Sequence, residues 1–149
     1  MAITKKQAIK ELTTGILTKF MSKQQRSCIY HLLNSEEDKY FLEAIERILF
    51  IIRETPKTYE TRKVTAKDKI VRLHYFYANY DAWIVERDLG DEGQMEPAGE
   101  GEQIQAYGLA SFFGVKESEW GYISIQEIIE NGGELDLNFV PKTVAELKA

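Results

Sequence analysis

An α+β fold, with about three N-terminal helices packed on a mainly antiparallel sheet of about five strands, is what the pattern of apolar residues predicts. Three observations predict it. The apolar period is helical as far as Pro56 and becomes strand-like from Lys69 onward. Aromatic residues crowd into that second part, where β-favouring side chains belong. The 149 residues, 44% hydrophobic and 11% aromatic, suffice for one core. The expectation is a single domain over 1–149, with a helical subregion over 1–55 and a sheet region over 56–149.

Thr4 precedes a helix expected from Lys5 to Met21, in which Ile9, Leu12, Ile16 and Phe20 recur at helical spacing and Gly15 costs a little stability. Ser22 caps a second helix, with Gln25 as capping-box partner and Cys28, Ile29, Leu32 and Leu33 as its apolar stripe, and Asn34 ends it. Ser35 and the acids Glu36, Glu37 and Asp38 open a third, because a capping hydroxyl and negative charge suit the positive end of a helix. It presents Phe41, Ile45, Ile48, Leu49 and Ile52 on one face and stops where Pro56 disfavours helical geometry at Thr55.

A strand from Lys69 through Tyr77 alternates Val71, Leu73, Tyr75 and Tyr77 against Arg72, His74 and Phe76. A turn at Asn79-Tyr80-Asp81 returns the chain into Ala82–Arg87 as a hairpin. Leu89 to Gly101, rich in glycine and acids, is expected to be an exposed, mobile loop. Further strands are expected over Gln103–Phe113, with a close backbone approach at Gly108, and over Gly121–Ser124. A fifth, carrying Leu135, Leu137 and Phe139, ends at Pro141. Between them Ile125–Asn131 reads as a short helix, and Thr143 to Glu146 as a capped final turn.

No apolar run is long enough to cross a bilayer, and the lysine-dotted N-terminus lacks a signal peptide's apolar stretch, so the expected location is the cytoplasm. A single cysteine, Cys28, excludes an internal disulfide framework. Charge is divided unevenly. Residues 1–63 carry 12 Lys/Arg against 8 Asp/Glu, while residues 64–149 carry 7 against 16.

Catalytic patterns are sparse. Cys28 and His31 are one helical turn apart, the spacing of a thiolate and its base, though buried free cysteines are commoner than reactive ones. Glu86, Asp88, Asp91 and Glu92 gather hard oxygens of the kind a divalent cation takes, but do not follow the calcium-loop pattern. No phosphate-binding glycine loop, nucleophile elbow or paired-histidine motif occurs, so neither a catalytic residue, a metal site nor a cofactor is expected.

Binding is better motivated. Lys5, Lys6, Lys10, Lys19, Lys23 and Arg26 meet only one acid, Glu11, before Ser35, which is the surface a phosphate backbone attracts. The aromatic and acidic sheet region, with Trp83, Glu86, Asp88, Trp120 and Tyr122, is the other contact surface; contact with a protein partner is the leading expectation, and direct nucleic-acid binding through the basic helices is the alternative.

Five blocks over Thr55–Val144 carry a resemblance: Pro56–Thr61, Leu73–Phe76 with Ala82–Asp88, Gln105–Ala110, Glu119–Glu127 and Glu134–Thr143. In order and spacing they resemble a family borne by plasmids, integrative elements and phages, domain of unknown function twenty-nine fifty-eight. The first two helices lie outside the resemblance, and the Gly90–Gly101 loop is longer than the family's. The resemblance implies an accessory protein of a mobile element, near anti-restriction or DNA-processing functions, and carries over no catalytic residues. It implies that Trp83, Glu86, Asp88, Trp120, Gly121 and Asp136 hold structural positions.

Overall fold

The computed structural model describes residues 2–90 and 97–149. Its helical part comprises α1 (Lys5–Thr13), α2 (Lys23–Leu32) and α3 (Asp38–Glu54). Thr4 and Gln7 form a full capping box at the start of α1. The helix expected to run on to Met21 stops at Thr13 instead, and Ile16–Lys19 forms a 3-10 turn. Glu11 is the reason. Its carboxylate accepts from the Ile16 amide at 3.2 Å, and a Cβ at position 15 would lie 1.8 Å from Glu11 Oε1, so only glycine allows the chain to fold back there.

Ser22 caps α2 as expected, but Gln25 does not complete the box. Its amide crosses the molecule to Leu135, accepting from the backbone N–H at 2.9 Å and donating to the carbonyl at 2.8 Å. Of the apolar stripe expected on α2, Ile29 and Leu33 are buried and Cys28 is exposed. The third helix starts three residues later than Ser35, whose hydroxyl donates to Leu32 and accepts from the Glu37 amide in a turn between α2 and α3. Pro56 follows its end, and Thr55 is extended, as the residue before a proline should be.

Two short sheets follow. The larger contains β2 (Leu73–Tyr77), β3 (Tyr80–Glu86), β4 (Ala106–Ser111), β5 (Glu119–Ile123) and β6 (Glu134–Leu135) in the order β5-β4-β3-β2-β6, all antiparallel. The smaller pairs β1 (Ile70–Val71) with β7 (Lys142–Thr143). The single strand expected from Lys69 is thus split at Arg72, whose amide bonds to Ile84 while Val71 pairs with Lys142. The hairpin turn is tighter than expected. Tyr77 pairs with Tyr80, leaving Ala78 and Asn79 as the two loop residues, with Ala78 at φ 51°. The fifth expected strand ends at Leu135, because the Asp136 carboxylate accepts from the Asn138 amide and turns the chain. Helices α4 (Ile125–Glu130) and α5 (Val144–Lys148) complete the fold.

Gly108 carries the close approach expected of it: a Cβ there would lie 2.0 Å from the Trp83 carbonyl oxygen. Opposite it the register shifts between Ile84 and Glu86, so Val85 is an extra residue in β3 and five successive residues, Ala82–Glu86, are buried. One face of the large sheet (Leu73, Tyr75, Ala82, Ile84, Ala106, Ile123, Leu135) packs on α1–α4. On the other, Trp83, Val85 and Leu109 meet Val71 and Val144, with Trp120, Phe139 and Leu147 at the margin. Within the helical face the buried Tyr75 hydroxyl donates to the Phe20 carbonyl at 2.6 Å. No helix among the described residues is long and apolar enough to cross a membrane.

Candidate functional site

The residues singled out at the end of β3 lie inside the molecule, because each satisfies backbone groups of a neighbouring loop. Glu86, 3% exposed, accepts from the amides of Tyr59 (2.8 Å) and Thr61 (3.1 Å) and from the Thr61 hydroxyl. Lys69 Nζ donates to that same hydroxyl oxygen at 2.9 Å and to the Thr61 carbonyl at 2.6 Å, bringing a positive charge within one hydroxyl of the buried carboxylate. Arg87, 6% exposed, donates to the carbonyls of Thr55 (2.9 Å), Gly99 (3.2 Å) and Arg53 (3.3 Å), two of which close α3. Asp88 accepts from the amides of Gly90, Ile104 and Gln105 at 2.8–3.0 Å.

Glu86 and Asp88 therefore point into separate backbone cradles and cannot converge on one cation. Asp91 and Glu92 lie outside the described residues, and among the described residues no three His, Cys, Asp or Glu side chains are placed to hold a metal. The middle of the loop expected over Leu89–Gly101 also lies outside them. Its described end is not exposed throughout: Gly99 and Gly101 are buried, their carbonyls accepting from the fully buried Gln103 amide. No sequence pattern marked Gln103.

Trp83, 6% exposed, stacks on His74 at 5.5 Å, and the imidazole sits between two carboxylates, Asp81 at 2.7 Å and Asp136 at 3.1 Å. Each ring nitrogen has a carboxylate within hydrogen-bond reach. Trp83, Glu86 and Asp88 thus form framework rather than contact surface. Cys28 and His31 are both exposed, and the His31 ring meets the edge of Tyr30.

The basic residues do not form one face. Lys5, Lys6, Lys10 and Lys23 are exposed, with Lys5 3.9 Å from Asp38. Lys10 borders a cleft shared with Glu11, Glu46, Arg53 and Glu54, whereas Lys19, Lys23 and Arg26 border another with Glu102 and Glu130. Arg26 is committed to the carbonyls of Leu12 (2.8 Å) and Met21 (3.2 Å), joining α1 to α2.

Among the exposed large apolar residues, a group of aromatic rings gathers around β4 and β5. On one face Tyr107 stacks on Trp120 at 5.5 Å and meets Tyr122 edge-on, and Tyr122 meets Tyr59. The Tyr122 hydroxyl lies 3.4 Å from that of Tyr59, and this contact, with smaller help from burial and Glu86, raises the Tyr122 phenol above its ordinary pKa. Tyr59 itself has φ 76°, a conformation a bulky side chain rarely adopts. The bond from its amide to Glu86 holds it there.

On the opposite face Tyr80 of β3 and Phe112, just beyond β4, lie 5.0 Å apart, with Tyr77 and Phe113 beside them. Tyr77 is 48%, Phe112 57% and Phe113 83% exposed. A groove of 420 Å³ runs from this cluster along Tyr122–Ser124 to α4, and one of 300 Å³ continues past Glu117 and Glu119. Burial, and then the nearby Glu127 on α4, push the Tyr80 phenol above its ordinary pKa. Comparison with protein-family models, curated proteins and solved structures returned no match to this chain.

Proposed function

We propose that the protein is a non-enzymatic accessory protein of a plasmid, integrative element or phage, acting by protein–protein contact on a DNA-processing or host-defence component. The observation that carries the contact is the aromatic cluster left in solvent at the turn end of the sheet, Tyr77, Phe112 and Phe113 around Tyr80. Single exposed aromatics are ordinary, but a contiguous group beside a groove is what partner-binding surfaces present. The mobile-element setting rests on the resemblance of the Thr55–Val144 blocks alone. The basic N-terminal residues support a direct nucleic-acid contact less well, since acids share the clefts that Lys10, Lys19, Lys23 and Arg26 border and Asp38 lies beside Lys5.

A photo-cross-linking residue in place of Phe113, compared with one in place of Lys6, tests this in cells. The expected result is a discrete protein adduct from position 113 that disappears when Tyr77→Ala and Phe112→Ala are added, and no nucleic-acid mobility shift that survives physiological salt. A shift that does survive, and is lost when Lys5, Lys6, Lys10, Lys19 and Lys23 are neutralised, replaces the protein-contact reading with a nucleic-acid one. Arg26 is left intact in that variant because it holds α1 to α2.

A further inference from the structure

We infer that β5 is an acceptor strand: an extended segment of a partner protein, bearing lysine or arginine at alternate positions, adds to its free edge as the next strand of the sheet. The inference rests on the protein-contact reading above and specifies its chemistry.

Strand β5 ends the sheet, and among the described residues its backbone bonds only to β4. Of the devices that usually blunt an edge it has one charge, Glu119 at its start, and no proline, no lysine and no bulge in its pairing. The opposite edge is treated differently, since Gln25 occupies both the N–H and the carbonyl of Leu135 in β6.

The surroundings of β5 say what kind of strand fits. Glu119, Gly121 and Ile123 face α4, while Trp120 and Tyr122 face the other way. Above Gly121 there is open space, with no atom within 4 Å of where a Cβ would stand. The groove there is bordered by Glu127 on one side and by Glu117 and Glu119 on the other, and among the described residues no lysine, arginine or histidine lines it. A long cationic side chain of the added strand would lie over Tyr80 and Phe112, its stem against the rings and its charge reaching Glu119 or Glu127. The alternate residues of that strand would rest on Trp120 and Tyr122. Backbone hydrogen bonds would supply affinity and the acid-rimmed groove the preference for positive charge. A second copy of this chain fits less well, because pairing β5 with itself would bring two sets of these acids together.

The probe is a seven-residue peptide alternating arginine with valine, measured by fluorescence polarisation against the full chain, beside the same peptide with glutamate for arginine and with alternate backbone nitrogens methylated. The arginine peptide is expected to bind, and the glutamate peptide not to. The arginine peptide methylated on the ladder-facing nitrogens should bind about tenfold or more weakly, having lost ladder donors. Gly121→Phe, which fills the open space, should weaken binding about tenfold with the melting temperature unchanged, and Glu127→Lys should do the same. Equal binding by methylated and unmethylated peptides, or indifference to Gly121→Phe, overturns the acceptor strand. If the adduct at position 113 persists in that case, the protein-contact reading stands without it. A concentration-dependent dimer that Gly121→Phe dissociates also overturns the proposal, assigning the edge to a second copy.

Discussion

The two edges of the large sheet face the same physical problem and meet it in opposite ways. At β6, a side chain from α2 stands where another strand would stand: the Gln25 amide offers one acceptor and one donor to Leu135, copying the pattern of a neighbouring backbone. At β5 no such substitute is present among the described residues, and the strand is flanked by half-exposed aromatic rings and acids. The ends of the strands repeat the contrast. Where β3 finishes, Glu86, Arg87 and Asp88 are each enclosed by the loop backbone that they satisfy. Where it begins, Tyr80 sits beside rings that are about half exposed or more. The difference teaches that chemical type alone does not mark a working surface here. Glu86 and Asp88, which looked available in the sequence, are structural, and the rings around Tyr80 are what stands in solvent.

The contrast can be broken first at its most enclosed point. Arg87→Met would leave three carbonyls without their donor and is expected to cost about 3 kcal/mol by urea denaturation, with Arg87→Lys recovering only part of it. A loss below about 0.5 kcal/mol, ordinary for surface substitutions, would show that water replaces the guanidinium and that this end of β3 is not closed. Opening the other edge is the next largest effect. Gln25→Ala should cost about 1–2 kcal/mol from the two unpaired groups of Leu135, and should raise the tendency to aggregate by exposing a second free edge.

Tyr75→Phe sharpens the comparison between the sheet's covered face and its exposed rim, since it removes only a buried hydroxyl, and about 1 kcal/mol is expected. The sign of its pH dependence follows from burial, which raises the phenol well above its ordinary pKa. A raised pKa in the folded state means that the contribution is complete below the unfolded value, about pH 10, and is lost as pH rises further. The wild type should therefore lose stability in alkali that Tyr75→Phe keeps, as read from melting temperatures of the two proteins across that range. The smallest effect belongs to the exposed rim: Phe113→Ser should change stability by less than about 0.5 kcal/mol while abolishing the protein adduct captured by a cross-linking residue at position 112.

Much of this was legible in the sequence. The alternation of Leu73, Tyr75 and Tyr77, the helical face of Ile45, Ile48, Leu49 and Ile52, and the caps at Thr4, Ser22 and Thr143 are local patterns, and all appear in the structure. Gly108 was marked by its place within a strand. The break at Gly15 was less visible, because it depends on where the Glu11 carboxylate turns, and the early end of β6 depends on Asp136 bonding to the next turn. Of the site, the aromatic content could be read, but not which rings would be covered.

The sequence alone thus determined the kinds and order of most elements, the α+β class and the uneven distribution of charge, because periodicity, capping and composition act between residues close in the chain. Only the tertiary structure decided which side chains do which work. It sent Gln25 across 110 residues to close one edge, buried Trp83 and Glu86, enclosed Asp88 in a loop, set Lys10 in one cleft and Lys19, Lys23 and Arg26 in another, and left β5 open beside Tyr80 and Phe112. Those outcomes depend on burial and hydrogen-bond satisfaction between distant segments, and nothing in a residue's neighbours along the chain specifies them.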